Sequence, residues 1–293
     1  MQDTLLWIEK FCLRVTWLSV VIVGFFFLHV PAQPTSVDFR SIVEKILKER
    51  KLDLADICPA SDVVANRVFR DYGAIFVSKG TSLPGSCIFD SDAEVNAFQS
   101  LADPYELTVG GVNVTLQKVA MHAFEDARDE AAKSKLSITP RGGAAASTRS
   151  YAKTVELWTS RFLPALRHWS AKGKIGRDAA ALARNAPVHE QVAMVFGWEA
   201  KGFWFSKDLQ KSILYSVAVP GASQHNFMLA LDIEQFADAR VRRILAKHGW
   251  FQTVKSDLPH FTYLGVSEND LPSLGLKSEI VSGQTFWIPD VKE

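Results

Sequence analysis

Cysteine is scarce in this 293-residue sequence, which has three, at positions 12, 58 and 87. Thiolate zinc sites draw on clusters of closely spaced cysteines, so a metal held by this chain must rest on histidine and carboxylate instead. Excess charge of either sign is also missing: 33 Lys and Arg against 32 Asp and Glu leave +1. Such a balance provides no long-range field to gather nucleic acid or anionic lipid, which excludes a polyanionic partner. No internal repeat or low-complexity linker interrupts the chain. A 47% hydrophobic content is enough for a sizeable core in one substantial domain or two small ones.

The one long apolar run lies at the start. Lys10 and Arg14 precede Val15-Thr-Trp-Leu-Ser-Val-Val-Ile-Val-Gly-Phe-Phe-Phe-Leu-His-Val30, and Val30-Pro-Ala32 follows with small residues at the usual cleavage spacing. Residues 1–32 therefore read as an export signal, with a retained membrane anchor as the alternative. On either reading the rest of the chain is exported, to the periplasm or cell envelope. Cys12 falls inside the signal, which leaves Cys58 and Cys87 to pair in an oxidising compartment. Their bridge would close a loop of about 30 residues, worth about 3 kcal/mol in the chain-entropy model. Two buried free thiols are the alternative.

Periodicity predicts a helix from Ser36 with Phe39, Ile42, Val43, Ile46 and Leu47 inward, and others over 62–70, 92–101, 116–133, 150–169 and 176–196. In the helix that starts near Ser150, the aromatic stripe of Trp158, Phe162 and Trp169 reads as core. Ala237, Val241, Ile244 and Leu245 mark a last helix, with Arg240, Arg242, Arg243 and Lys247 on its solvated face and Gly249 at its end. Strands are expected at 74–77, on both sides of Gly110-Gly111, and at 136–139, 212–219, 250–254 and 261–264. Helices come early and strands late, so the fold class is α+β, with a small antiparallel sheet flanked by helices and a mainly helical N-terminal region.

Of seven histidines, His29 is in the signal, and His122, His168, His189 and His248 sit in helical patterns where packing or solvation explains them. His225 and His260 differ, because both follow turn chemistry and adjoin β-rich segments. In Ser223-Gln-His-Asn-Phe-Met-Leu-Ala-Leu-Asp232 the imidazole and the carboxylate could share a metal, or Asp232-Ile-Glu-Gln235 could merely cap the next helix. A third donor favours metal, since two histidines and one carboxylate make a tetrahedral zinc site with one position open. His260 is the best supplier.

The run Val217-Ala-Val-Pro-Gly-Ala-Ser-Gln-His225 through Asp232 resembles the Ser-x-His-x-x-Gly-x-Ala-x-Asp motif of the VanY-type D-alanyl-D-alanine carboxypeptidases and their endolysin relatives. Asp257-Leu-Pro-His260 resembles that family's second motif, Glu-x-x-His. The resemblance implies that His225, Asp232 and His260 bind Zn2+, that Asp257 is general base and acid, and that Ser223 lies at the substrate. It implies further that an arginine contacts the substrate near the reacting carbonyl, Arg149 matching best and Arg141 being its rival. Met228 stands where the motif has Gly. Asp257 stands where most members have Glu, which withdraws the carboxylate by about 1.5 Å. Residues 33–105 match nothing in the family, and 106–293 would form the peptidase-like domain.

The expected activity is thus that of an exported zinc peptidase acting on peptidoglycan stem peptides. A zinc-containing module that binds such peptides without turnover, and an exported structural protein in which the two histidines only pack, are the alternatives. Oligomeric state is not legible in the sequence.

Overall fold

The computed structural model describes residues 38–291, which lie within one compact unit spanning Ser36–Glu293. The expected signal or anchor at 1–32 lies outside the described residues. Among the described residues, no helix is long and apolar enough to cross a membrane.

Helix α1 (Phe39–Glu49) buries Phe39, Val43 and Leu47, the inward stripe its periodicity predicts. Asp38 caps it by accepting from the Ser41 amide, not the expected Ser36. Short α2 (Leu54–Ile57) leads into α3 (Val63–Tyr72), capped by Asp62, and α4 (Asp92–Leu101) is capped by Ser91. Strands β1 (Pro104–Val109) and β2 (Val112–Gln117) form a hairpin about Gly110-Gly111, and α5 (Lys118–Lys133) follows directly. The long α6 (Tyr151–Ala171) buries Thr154, Trp158, Phe162, Ala165 and Leu166.

The helix expected over 176–196 is two, α7 (Arg177–Asn185) and α8 (Val188–Glu199). Pro187 separates them, because it offers no amide to continue the ladder and holds the residue before it extended. Beyond β3 (Ala230–Asp232) come α9 (Ala239–Lys247), β4 (Trp250–Phe251) and β5 (His260–Tyr263), then the hairpin β6 (Leu276–Val281) and β7 (Gln284–Pro289). The central sheet has the order β3-β5-β4, antiparallel throughout.

Three expected strands are absent. Gly73–Val77 continues α3 as a fully buried 3-10 turn, since a short apolar run reads alike for a buried strand and a buried helical segment. Leu136–Thr139 forms no strand: a single bridge, Pro140 to Ile233, and the Gln235 side chain on Thr139 join this segment to the sheet region. The β-branched run after Ser212 closes on itself: Ser212 caps a 3-10 turn over Ile213–Tyr215, and the Ile213 amide donates to buried Glu199 at 2.6 Å. Local partners thus satisfied the backbone before a neighbouring strand could.

One apolar core runs from Phe39 to Leu276, crossing position 105 without a break. Cys58 and Cys87 are bonded, with Cα atoms 5.4 Å apart. Two residues beyond the bridge, the Phe89 amide donates to the Gly221 carbonyl at 3.0 Å. A Cβ at Gly221 would lie 1.7 Å from the Phe89 carbonyl oxygen, so the approach requires glycine. Phe89, Phe98 and Phe227 then pack with ring centroids 5.4–5.9 Å apart, which ties the disulfide loop and α4 to the 3-10 turn over Gln224–Phe227.

That turn ends at Met228, whose φ of 55° and ψ of 33° are left-handed, the conformation for which the aligned glycine is suited. Its side chain is buried. Met228→Gly and Met228→Ala both lose that side chain, but only the alanine keeps a Cβ in the left-handed region. Urea unfolding should therefore find the glycine variant more stable by about 1 kcal/mol, reversing the order usual outside this region. Alanine equal to or above glycine would contradict the left-handed geometry.

Candidate metal centre

The register of the central sheet sets Asp232 directly opposite His260, on β3 and β5. Directly paired residues project side chains to the same face, so two of the three candidate ligands meet by strand pairing alone. The 3-10 turn over Gln224–Phe227 carries His225 over them. The Asp238 side chain, not Asp232, caps the next helix, so the capping-box alternative for Asp232 is not realised.

The donor atoms converge closely. His225 Nε2 lies 3.1 Å from His260 Nδ1 and 3.4 Å from Asp232 Oδ1, and His260 Nδ1 lies 3.3 Å from the same oxygen. Four ligands around zinc at about 2.0–2.1 Å stand about 3.3 Å apart on the tetrahedron's edges. The three side chains match that spacing and fit a zinc ion. Both histidines are buried, Asp232 is nearly so, and its Oδ1 has no hydrogen-bond partner.

Hydrogen bonds on the far sides of the rings fix which nitrogen faces inward. Gln224 Nε2 donates to the Tyr72 carbonyl at 2.9 Å, which orients the amide so that Oε1 faces His260 Nε2 at 2.8 Å. Oε1 can only accept, so His260 donates from Nε2 and keeps its Nδ1 lone pair for the cluster. His225 Nδ1 faces the Ser147 carbonyl at 3.4 Å, which likewise leaves Nε2 free. Ligating histidines are commonly held in this way by an acceptor on the other nitrogen. Three electron-pair donors aimed at one another repel unless a cation lies among them.

The charges agree. Burial is the main cause that pushes the His225 pKa down to about 4; Asp232 opposes this, while Arg149 and His260 add to it. His225 is therefore neutral at neutral pH, the state a ligand needs. Burial alone would raise the Asp232 carboxyl, but His225 and His260 together hold it well below the usual carboxylate range. Arg149 donates to Asp232 Oδ2 at 2.8 Å and to the Ala145 carbonyl at 3.0 Å, which leaves Oδ1 to face the histidines. The small residues of 142–147 allow this loop to lie close: it supplies both the Ala145 and the Ser147 carbonyls.

Arg149, Ser223, Asp257, His225 and His260 line one cavity of about 290 Å³. Burial, the largest cause, raises the Asp257 carboxyl; Asp232 raises it further, while His260, Arg149 and Arg141 act against them. Arg141 does not line this cavity: it is about half exposed and pairs with Glu234 at 3.2 Å. Of the four remaining helical histidines, three pair with carboxylates, His122 with Glu125, His189 with Asp62 and His248 with Glu130, and His168 packs edge-on against Trp169. Sequence reasoning missed Gln224 and Tyr72. The first lay inside the quoted motif, a polar residue beside a ligand on a turn that had to be buried. The second, in the unmatched N-terminal region, gave no signal.

No family model matches this chain, and no curated protein does. Among solved structures, the LdcB LD-carboxypeptidase, described with the molecular basis of peptidoglycan recognition, is 19% identical over 52% of this chain and 60% of its own, with a TM-score of 0.29. This chain thus spans less than two thirds of that protein. A point mutant of the vancomycin-resistance D,D-pentapeptidase VanY, in complex with Zn(II), is 18% identical over 55% of this chain and 78% of its own, also with a TM-score of 0.29.

Gln224→Met removes the acceptor that sets the His260 tautomer while leaving all three ligands in place. Competition with a zinc chelator should show affinity lower by about 10- to 100-fold. Unchanged affinity would mean that His260 is oriented by other groups.

Proposed function

We propose that this chain is an exported zinc peptidase acting on peptidoglycan stem peptides, most simply by removing a terminal D-alanine. The observation that carries the reading is the set of three metal-donor atoms 3.1–3.4 Å apart, whose two histidines line one cavity with Asp257, a half-buried carboxylate outside the set. The match of Ser223, His225, Asp232 and His260 to the two sequence motifs supplies the substrate class. The Cys58–Cys87 bond agrees with an oxidising compartment outside the cytoplasm.

His225, Asp232 and His260 would hold the zinc. Bound there, zinc acidifies a water and polarises the scissile carbonyl. Asp257 takes a proton from the water as its oxygen adds to the carbonyl carbon, and then delivers that proton to the amine nitrogen, so that the C–N bond breaks as the carbonyl re-forms. Its placement in a partly desolvated wall suits this double task, because a carboxylate with a raised pKa is a stronger base towards the water and keeps the proton until the amine nitrogen takes it. Arg149 steadies Asp232, and its remaining N–H groups are suited to the carbonyl oxygen as negative charge develops. The Ser223 hydroxyl is a hydrogen-bonding group for the bound peptide.

A second reading, a module that binds stem peptides without cutting them, is favoured by one observation: Asp257 is one carbon shorter than the glutamate of the motif. Its mark would be peptide binding with no hydrolysis.

Metal analysis of the purified protein should find about one zinc per chain, lost in His225→Ala. A folded protein that binds no zinc would overturn the peptidase reading. Asp257→Asn should keep its zinc and lose about 10²- to 10⁴-fold in kcat on a D-Ala-D-Ala peptide. In the native protein kcat/KM should rise with pH through the Asp257 titration, because only the ionised carboxylate accepts the proton. Burial sets that limb above the range of an exposed aspartate. An acid limb that persists unchanged in the residual activity of Asp257→Asn would exclude it as the base.

A further inference from the structure

Thr154, Leu157 and Arg161 lie on one face of α6, at positions i, i+3 and i+7, and that face lines the same cavity as His225, His260 and Asp257. The cavity's two guanidinium groups are differently placed. Arg149 is occupied by Asp232 and the Ala145 carbonyl. Arg161 has no carboxylate partner among the described residues. One of its terminal nitrogens donates to the neutral Ser160 hydroxyl at 3.0 Å, and its Nε is buried without any hydrogen-bond partner.

An arginine in this state is costly to keep. It lines the cavity together with Leu157, Leu214 and Val217, and its buried Nε–H loses water without gaining an acceptor. The guanidinium fork is shaped for a planar anion, with Nε and a terminal nitrogen donating in parallel to two carboxylate oxygens. Position adds a second constraint. Thr154 Oγ1 accepts from the Gly221 amide at 3.1 Å, beside the loop that leads into Ser223 and His225. Arg161 stands about 10 Å further along the helix axis, a length that an extended peptide of about three residues spans.

We propose that Arg161 is a specificity-determining residue, which receives a carboxylate of the bound peptide as a bidentate pair. The assignment of that carboxylate to a stem peptide rests on the function proposed above. Two sources share the chemistry: the C-terminal carboxylate, and the free α-carboxylate of a γ-linked D-glutamate further from the scissile bond.

The test uses the full zinc-loaded chain and the pentapeptide L-Ala-γ-D-Glu-L-Lys-D-Ala-D-Ala, with two derivatives, one amidated at the C-terminus and one at the D-glutamate α-carboxyl. Binding is followed by calorimetry and turnover by release of D-alanine. Arg161→Gln should weaken binding of the parent peptide by about 10- to 100-fold and raise KM while sparing kcat, with zinc content and circular dichroism unchanged. Arg161→Lys should recover part of the loss. Amidation of the recognised carboxylate should weaken native binding by a similar factor and make Arg161→Gln silent, which identifies the source. An Arg161→Gln effect equal on all three peptides, or none on any, overturns the proposal. Arg161-dependent binding without cleavage would uphold the anchor and remove the peptidase reading; cleavage indifferent to Arg161 would do the reverse. A native protein that neither binds nor cleaves the peptides would end both.

Discussion

A single buried amide, that of Gln224, holds together parts of the chain that are far apart in sequence. It donates to the Tyr72 carbonyl at the end of α3, and accepts from Thr262 and His260 on β5. Thr253 joins the same cluster through Thr262, at 2.6 Å. Each partner is itself buried, so no water competes and each bond carries more weight than it would at the surface. The direction of these bonds matters as much as their number. The Tyr72 carbonyl fixes the amide, the amide fixes the imidazole, and the imidazole presents its lone pair to the cluster. Arg149 performs the parallel task for Asp232, and the Ser147 carbonyl for His225.

The contrast between what could be read and what could not follows from the range of the forces involved. Helices α1, α3, α4, α6 and α9 declare themselves through apolar spacing and a capping side chain, both local properties. His225, Asp232 and His260 were legible because turn signals and short spacings confine them. Asp257 and Ser223 entered through the resemblance alone, each within three residues of a candidate ligand. The runs after Gly73 and Ser212 misread as strands because β-branched composition describes a half-buried pleated surface, and whether a neighbour exists to form one is not a local property. Arg149 ranked above Arg141 only through the resemblance, and the folded chain adds the physical difference: Arg141 pairs with Glu234 at the surface and Arg149 with Asp232 in the cleft. Gln224 and Tyr72 escaped because their importance lies wholly in each other.

The N-terminal helices are therefore part of the site's support. Tyr72 borders the cavity and orients Gln224, while Gln99 of α4 donates to the Arg149 and Asn226 carbonyls and steadies the segments on both sides of the cluster. Phe89 and Phe98 press on Phe227 from the same side. A region without recognisable motifs thus does what motif residues cannot do for themselves, which is to hold them within a few tenths of an ångström of a useful geometry.

The bond between Gln224 and Tyr72 closes a span of 152 residues, and that between Gln99 and Asn226 one of 127. Contacts of such range form late, because the chain must give up most of its freedom before they return any stability. Asp232 and His260 can meet by strand pairing alone, but the amide that sets which His260 nitrogen faces inward is held only once α3 has docked on the sheet. Before that docking a metal ion would meet the same side chains with the His260 tautomer unset, so selective loading belongs to the finished fold.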